Sequence, residues 1–208
     1  MTELIIVRHG ETQWNVEEVF RGRIDVELNE TGLKQAELLA EYLSQRKLEH
    51  VFSSPLKRAL RTAQAIADYQ RLKVEVTPAL IDFNFGDWQG LSLAQVREKF
   101  GELYKEWLEH PERVRIPGGE SLEEVRRRAL GFLESILGYE GSLVLVSHRV
   151  VNKVLICALL GLDNSHFWKI RQDNCAITTF LYEDGSFVLT EHNNTSYLGP
   201  LKKLQSDF

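Results

Sequence analysis

With 208 residues, 43% of them hydrophobic and 26% charged, the chain has the make-up of one ordinary folded domain spanning residues 1–208. A formal net charge of −5 supplies no overall basic field, which argues against nucleic acid as a partner while leaving a local cationic pocket open. No apolar run approaches the roughly 20 residues needed to cross a bilayer, and Arg8-His9 interrupts the first apolar segment too early for a secretory signal, so a cytoplasmic protein without membrane contact is expected.

The first element is a short buried strand over 3–7, Leu4-Ile5-Ile6-Val7, which runs directly into Arg8-His9-Gly10. From Thr31 to Arg46 apolar residues fall at Leu33, Ala36, Leu39, Ala40 and Leu43, a helical stripe that Asn29 or Thr31 is suited to cap. Val51-Phe52-Ser53 reads as a second strand stopped at Ser54-Pro55, and a second helix follows with Leu56, Leu60, Ala63, Ile66 and Ala67 on one face. Residues 73–76 form a third strand candidate, and Asp82 to Gly90 a loop rich in glycine and aromatic residues. Helices are expected near 92–109 and 121–137, with irregular chain between Pro111 and Gly119. Ser142 to Val146 is the clearest buried strand; His148 lies just past its end, and an apolar helix follows to Leu160.

Residues 176–182 and 186–191, joined through Asp184-Gly185, read as a hairpin. The alternation of strands and helices predicts an α/β fold: a mostly parallel central sheet, helices on both faces, and an antiparallel C-terminal addition. The tail 201–208 is expected to be loosely held. The hairpin edge leaves a homodimer open. The two cysteines, Cys157 and Cys175, lie far apart without metal-like spacing, and Cys157 sits in an apolar run that suits a buried core position.

Arg8-His9 follows the first strand, Ser147-His148 the late one, and Arg58 falls in the first turn of the helix after Ser54-Pro55. In a parallel sheet all of these reach the carboxyl edge, where ligands bind. Singly, each has a plain structural explanation; jointly they describe a cationic pocket for a phosphate dianion. Arginine forks match phosphoryl oxygens, the helix end is expected to add N–H groups, and Asn15 and the turn at Gly10 offer further donors. His50 precedes its strand and is left out. Scattered histidines and carboxylates, with no close ligand pair, give no metal site and no reason to expect a cofactor.

The run Arg8-His9-Gly10-Glu11-Thr12-Gln13-Trp14-Asn15 resembles the opening motif of the histidine phosphatase (phosphoglycerate mutase-like) superfamily. Ser54-Pro55-Leu56-Lys57-Arg58-Ala59-Leu60-Arg61-Thr62-Ala63 is similar to its second block, and Val144-Leu145-Val146-Ser147-His148 to its late histidine block. Pro117-Gly118-Gly119-Glu120-Ser121 is similar to a segment of its phosphatase members, and the blocks occur in the family's order. The resemblance implies a phosphoglycerate mutase-like fold. It implies a metal-independent phosphomonoester hydrolase of the branch that includes phosphoserine and α-ribazole phosphate phosphatases. His9 would become the phosphohistidine, Arg8, Arg58 and His148 would hold the phosphoryl oxygens, Asn15 would contact the phosphoryl group, and Arg21-Gly22 would line the substrate approach. A nucleophilic His9 must be neutral with one ring nitrogen fixed, whereas His148 would do more if protonated.

The family's acid is usually glutamate. Here Leu80-Ile81-Asp82-Phe83-Asn84-Phe85-Gly86-Asp87-Trp88-Gln89-Gly90 places Asp82 at that position, Ile81 in place of Arg and Gln89 in place of Glu. Asp82 is thus the expected proton donor, with apolar neighbours suited to raising its pKa; Asp87 and Glu11 are the alternatives. Arg149 stands where the family often has Gly, facing either the pocket or solvent. Phe20, Arg21, Arg23, Phe83, Phe85, Trp107 and Arg149 are candidate pocket walls or core. The substrate is a small phosphorylated metabolite: phosphoserine, α-ribazole phosphate, a phosphoglycerate or a sugar phosphate. A cofactor-dependent phosphoglycerate mutase is the alternative, disfavoured because Phe83-Asn84-Phe85-Gly86 lacks the mutase Arg-His pair and the Phe100–Pro117 connection is short. A non-catalytic phosphate-binding or scaffold domain is the alternative of another class.

Overall fold

The computed structural model describes residues 1–203; residues 204–208 of the expected loose tail lie outside the described residues. Strand β1 (Thr2–Arg8) is followed by a single-turn helix α1 (Gln13–Val16) and by α2 (Glu30–Leu43). Next come β2 (His50–Ser53), α3 (Lys57–Gln70) and β3 (Val74–Val76). Helices α4 (Leu93–Lys99), α5 (Gly101–Glu109) and α6 (Leu122–Ile136) precede β4 (Gly141–Ser147) and α7 (Arg149–Leu159). The chain closes with the hairpin β5 (Ile177–Glu183) and β6 (Ser186–Asn194).

The sheet has the order β3-β2-β4-β1-β5-β6. β1 and β2 each pair parallel with β4, and β3 pairs parallel with β2, whereas β5 runs antiparallel to β1 and β6 to β5. This is the mixed α/β sheet anticipated from the sequence. β1 is apolar from Leu4 to Val7 because both its faces are covered there. Leu4 and Ile6 pack into the core shared with α6 and α7, while Ile5 and Val7 face α2 and α3. Among the described residues, no helix is long and apolar enough to cross a membrane.

Local chemistry sets the element ends. Asn29 caps α2 by accepting from the Gly32 amide at 2.8 Å. Ser121 and Glu124 form a capping box at the start of α6. The single helix expected over 92–109 is two: Phe100, at φ −130 and ψ 33, leaves helical geometry before Gly101. That bend lets Leu93 and Val96 from one segment and Tyr104 and Trp107 from the next reach the same core. At the start of that tail, Gln35 donates to the Leu201 carbonyl and Lys203 pairs with Glu11 at 3.1 Å.

Gly10 lets the loop after β1 lie against α2. A Cβ there would meet the Gly32 carbonyl oxygen at 2.6 Å, closer than side-chain carbons come to backbone.

Candidate active site

Strand register assembles the site. Arg8 of β1 lies opposite Ser147 of β4, so His9 and His148 emerge side by side at the carboxyl edge. Their rings stand 5.2 Å apart, and the His9 amide donates to the Ser147 carbonyl at 3.1 Å. Ser53 of β2 pairs with Val146, and the Ser54 amide donates to the Val146 carbonyl, which brings Ser54 and the start of α3 to the same edge.

His9 is buried, and its Nδ1 lies 2.6 Å from the Gly10 carbonyl oxygen. A carbonyl can only accept, so Nδ1 carries the proton and Nε2 keeps its lone pair. Nε2 is buried without a hydrogen-bond partner. The flanking backbone is clamped from several directions. Asn174 donates to the His9 carbonyl at 2.9 Å, the Cys175 amide donates to the Arg8 carbonyl, and the Gly10 amide donates to Thr62 Oγ1. Arg8 donates through Nη1 to the Gln172 carbonyl at 2.6 Å.

Arg58 is fully buried. Its Nη1 donates to the Ile24 carbonyl, and its Nη2 donates to the Gly22 carbonyl and to Asp82 Oδ2. The other Asp82 oxygen accepts from the Phe83 amide at 2.8 Å. His148 Nε2 is 2.7 Å from Ser54 Oγ, which also accepts from the Leu56 amide. If Ser54 donates to Nε2, no hydroxyl proton is idle, and the ring proton sits on Nδ1, 3.5 Å from Asp82 Oδ2. Nδ1 has no hydrogen-bond partner within range.

Of the N–H groups at the start of α3, that of Lys57 is taken by Asp25 Oδ1 at 2.8 Å and that of Ala59 by the Leu56 carbonyl. The N-terminus of α7 also meets the pocket: His148 is its N-cap residue, without a side-chain cap, and Arg149 and Val150 of its first turn line the cavity.

The Asp82 loop is braced by the Pro117–Ser121 segment. Glu120 accepts from the Asn84 amide and pairs with Arg128 and Arg23. Gly86 sits at φ +48, and the Asp87 amide donates to the Pro117 carbonyl. The two alternative acids lie elsewhere. Asp87 is exposed, and Glu11 is buried against Asn29, Gln35 and Lys203.

Asn15 is buried, with its Oδ1 accepting from the Thr12 amide and hydroxyl, so only its NH₂ remains to donate to a ligand. Arg21, Gly22, Asp82, Phe20, Phe85 and Arg149 line one narrow cavity of about 10 Å³, room for roughly a single water. The remaining wall candidates are placed otherwise. Phe83 and Trp107 stack on each other in the core, and Arg23 is tied to Glu120. A wider cleft of about 570 Å³ lies between residues 27–33 and the outer side of α3, and it contains none of the expected chemical groups. Sequence reading missed Ser54 as the partner of His148 and the Gln172–Cys175 segment as the clamp on Arg8-His9. The second had no available signal, since its contacts span more than 160 residues of chain.

Charge around the pocket is lopsided. Burial first, then the charge of Arg58, any proton on His148, and the charges of Arg8 and Arg21 hold His9 well below the ordinary value of 6.5. His148 is likewise held well below 6.5, by burial first and then by Arg58, Arg21, Arg128 and Arg8. A protonated His148, the stronger phosphate partner considered from the sequence, is thus disfavoured; the neutral ring still offers one donor at Nδ1. Arg21 is also pushed down by burial and by Arg58 and Arg8, and its Nε and Nη1 have no partner. Among the described residues, no group of three or more His, Cys, Asp and Glu side chains is placed to hold a metal ion.

Residues 4–195 match the model of the histidine phosphatase superfamily, branch 1. The chain is 40% identical over 201 residues to phosphoserine phosphatase 1 of Hydrogenobacter thermophilus, covering 96% of this chain and 95% of that protein. A phosphoserine phosphatase from Entamoeba histolytica, solved with 3-phosphoglyceric acid, superposes with a TM-score of 0.86 at 31% identity, covering 95% of this chain and all of that one (100%). A mycobacterial glucosyl-3-phosphoglycerate phosphatase, solved with VO3, gives 0.87 at 30% identity over 93% and 99% of the two chains. Sheet order, motif placement and these similarities agree: the chain belongs to the histidine phosphatase superfamily.

Proposed function

We propose that this protein is a metal-independent phosphomonoester hydrolase for small phosphorylated metabolites, acting through a phosphohistidine on His9. One observation carries the reading: the buried His9 lone pair is surrounded by arginines, and Arg21 Nε and Nη1 and His148 Nδ1 lack partners. Orphaned buried polar atoms are costly, and a phosphate dianion would satisfy them together.

In the proposed reaction, His9 Nε2 attacks phosphorus in line with the ester oxygen. Arg8, Arg58 and His148 hold the phosphoryl oxygens, and Asn15 donates to the same group through its NH₂. Prearranged donors lower the barrier because they need no reorganisation as charge shifts. Asp82, in its acid form, gives its proton to the departing alkoxide as the P–O bond breaks. A water then attacks the phosphohistidine, its proton passes to the Asp82 carboxylate, and the P–N bond breaks to release inorganic phosphate and restore His9. Arg21 and Gly22 border the leaving-group side. The substrates named for the similar phosphatases are small phosphorylated metabolites, which supports this class.

The test is release of inorganic phosphate from a panel of small phosphomonoesters in the presence of a strong chelator. Hydrolysis is expected. No release from any ester, or isomerisation of phosphoglycerate dependent on 2,3-bisphosphoglycerate in its place, would overturn the proposal.

A further inference from the structure

The Gln172 carbonyl accepts from Arg8 Nη1 at 2.6 Å, and the Gln172 side chain is itself held at both ends. Its Oε1 accepts from Asn152 Nδ2 of α7 at 3.2 Å, and its Nε2 donates to Thr178 Oγ1 of β5 at 3.0 Å. Thr178 Oγ1 also accepts from the Asn193 amide at 3.2 Å and lies 3.3 Å from His192 Nδ1, both on β6. Gln172, Asn152 and Thr178 are buried, whereas His192 reaches solvent. Residues from α7, β5 and β6 thus converge on the residue whose carbonyl holds Arg8.

Proton counting gives this chain a direction. A hydroxyl has one proton and two lone pairs. The Gln172 and Asn193 N–H groups occupy both lone pairs of Thr178, so its proton goes to His192 Nδ1. Nδ1 is then an acceptor, and His192 is neutral with its proton on Nε2. A proton on Nδ1 would set two donors against each other. It would cost one of these bonds, or turn the Gln172 and Asn152 amides over together. Either response disturbs Gln172. Burial lowers the His192 pKa from 6.5. The charged groups on the neighbouring segments are Arg149 and Lys153 of α7, Arg171 with Asp173, and Glu191 with Arg46. None of them is among the causes of that lowering.

Building on the phosphatase reading, in which Arg8 holds a phosphoryl oxygen, we propose that Gln172 is a positioning residue for phosphoryl transfer, kept in place through Thr178 by a neutral His192. The Gln172 carbonyl fixes where the Arg8 guanidinium stands, and the Asn152–Gln172–Thr178–His192 chain fixes the carbonyl. Protonation of His192 loosens the chain and, with it, the hold on Arg8.

Linkage supplies a test without turnover. Phosphate bound at Arg8 must in turn disfavour the proton on His192, whereas a dianion acting only through its charge would raise the His192 pKa. Histidine ring signals of the wild-type protein are titrated by NMR with and without saturating inorganic phosphate, and His192→Asn identifies the His192 signal. The His192 pKa is expected to fall when phosphate is added; an unchanged or higher value would overturn the proposal.

Kinetics supply the second arm. Gln172→Met is expected to lower kcat by about tenfold, for alkyl and aryl esters alike, because Arg8 acts on the phosphoryl group. An unchanged kcat would overturn the positioning role. With each profile normalised to its own value at about pH 8, His192→Asn is expected to lose less activity than the wild type toward about pH 5, since asparagine accepts from Thr178 without taking a proton. In the Gln172→Met background that difference is expected to vanish. Identical profiles for the wild type and His192→Asn, or a difference that survives Gln172→Met, would overturn the chain. No hydrolysis of any ester would overturn the phosphatase reading, and the phosphate titration would still judge the chain. That titration also decides the matter if the variants fail to fold.

Discussion

Asp82 and Arg58 are joined inside the pocket, Nη2 donating to Oδ2 at 2.9 Å, with both side chains almost wholly buried. The same oxygen faces His148 Nδ1, so one carboxylate touches two of the groups proposed to hold phosphate. This supports Asp82 over Asp87 and Glu11 as the proton donor. Asp82→Asn is expected to lower kcat for alkyl phosphates by about 10²–10⁴-fold, the usual worth of a general acid. An aryl ester such as p-nitrophenyl phosphate should lose much less, because its leaving group needs no proton. Steady-state comparison of the two ester types checks this; equal losses would assign Asp82 a purely structural role.

His9→Asn should abolish turnover, by at least about three orders of magnitude, with the circular dichroism spectrum unchanged. Rapid acid-free quenching of the native protein with labelled ester should trap label on protein that is stable in alkali and released by acid. Unchanged turnover in the variant would remove His9 as nucleophile.

Stability should depend on pH in a definite sense. His9 and His148 are both held below 6.5 in the folded protein. Below that value the unfolded chain binds more protons than the folded one, so stability increases with pH. It is therefore full above 6.5 and is lost as pH falls from there toward the folded values. Thermal unfolding from about pH 8 to 5 should show Tm falling across that window, and a His9→Asn/His148→Gln double variant should show a flatter profile.

Filling the pocket should stabilise the fold. Orthovanadate or phosphate at about 100 times its Kd is expected to add about 2.7 kcal/mol, read as a rise in Tm. Arg21→Met should weaken that response, since it removes unpartnered donors.

Gly86→Ala tests the brace on the acid loop. The residue has φ +48, and an added Cβ would meet the Pro117 carbonyl oxygen at 2.0 Å. A loss of at least about 2 kcal/mol is expected from strain and displacement, with kcat for alkyl esters falling because Asp82 shifts. Denaturant unfolding and the same kinetic assay measure both.

Much of the site was legible because short motifs end predictable strands. His9, Arg58 and His148 follow apolar runs or open a helix, and those local patterns survive into the fold. The Phe100 break was not legible, since a 92–109 helix and two bent segments bury nearly the same apolar stripe. The tie between Gln35 and Leu201 was equally hidden, as was the Lys203–Glu11 pair.

The sequence alone determined the α/β alternation, the buried strands and the residue types at their carboxyl ends, since burial periodicity and side-chain chemistry are local properties. Tertiary structure decided which of those residues share a pocket. The β1–β4 register sets His9 beside His148, and the return of residues 172–175 clamps Arg8-His9. It also turned Arg149 inward rather than to solvent. Such outcomes depend on contacts between distant segments, and these exist only once the sheet and its covering helices have packed.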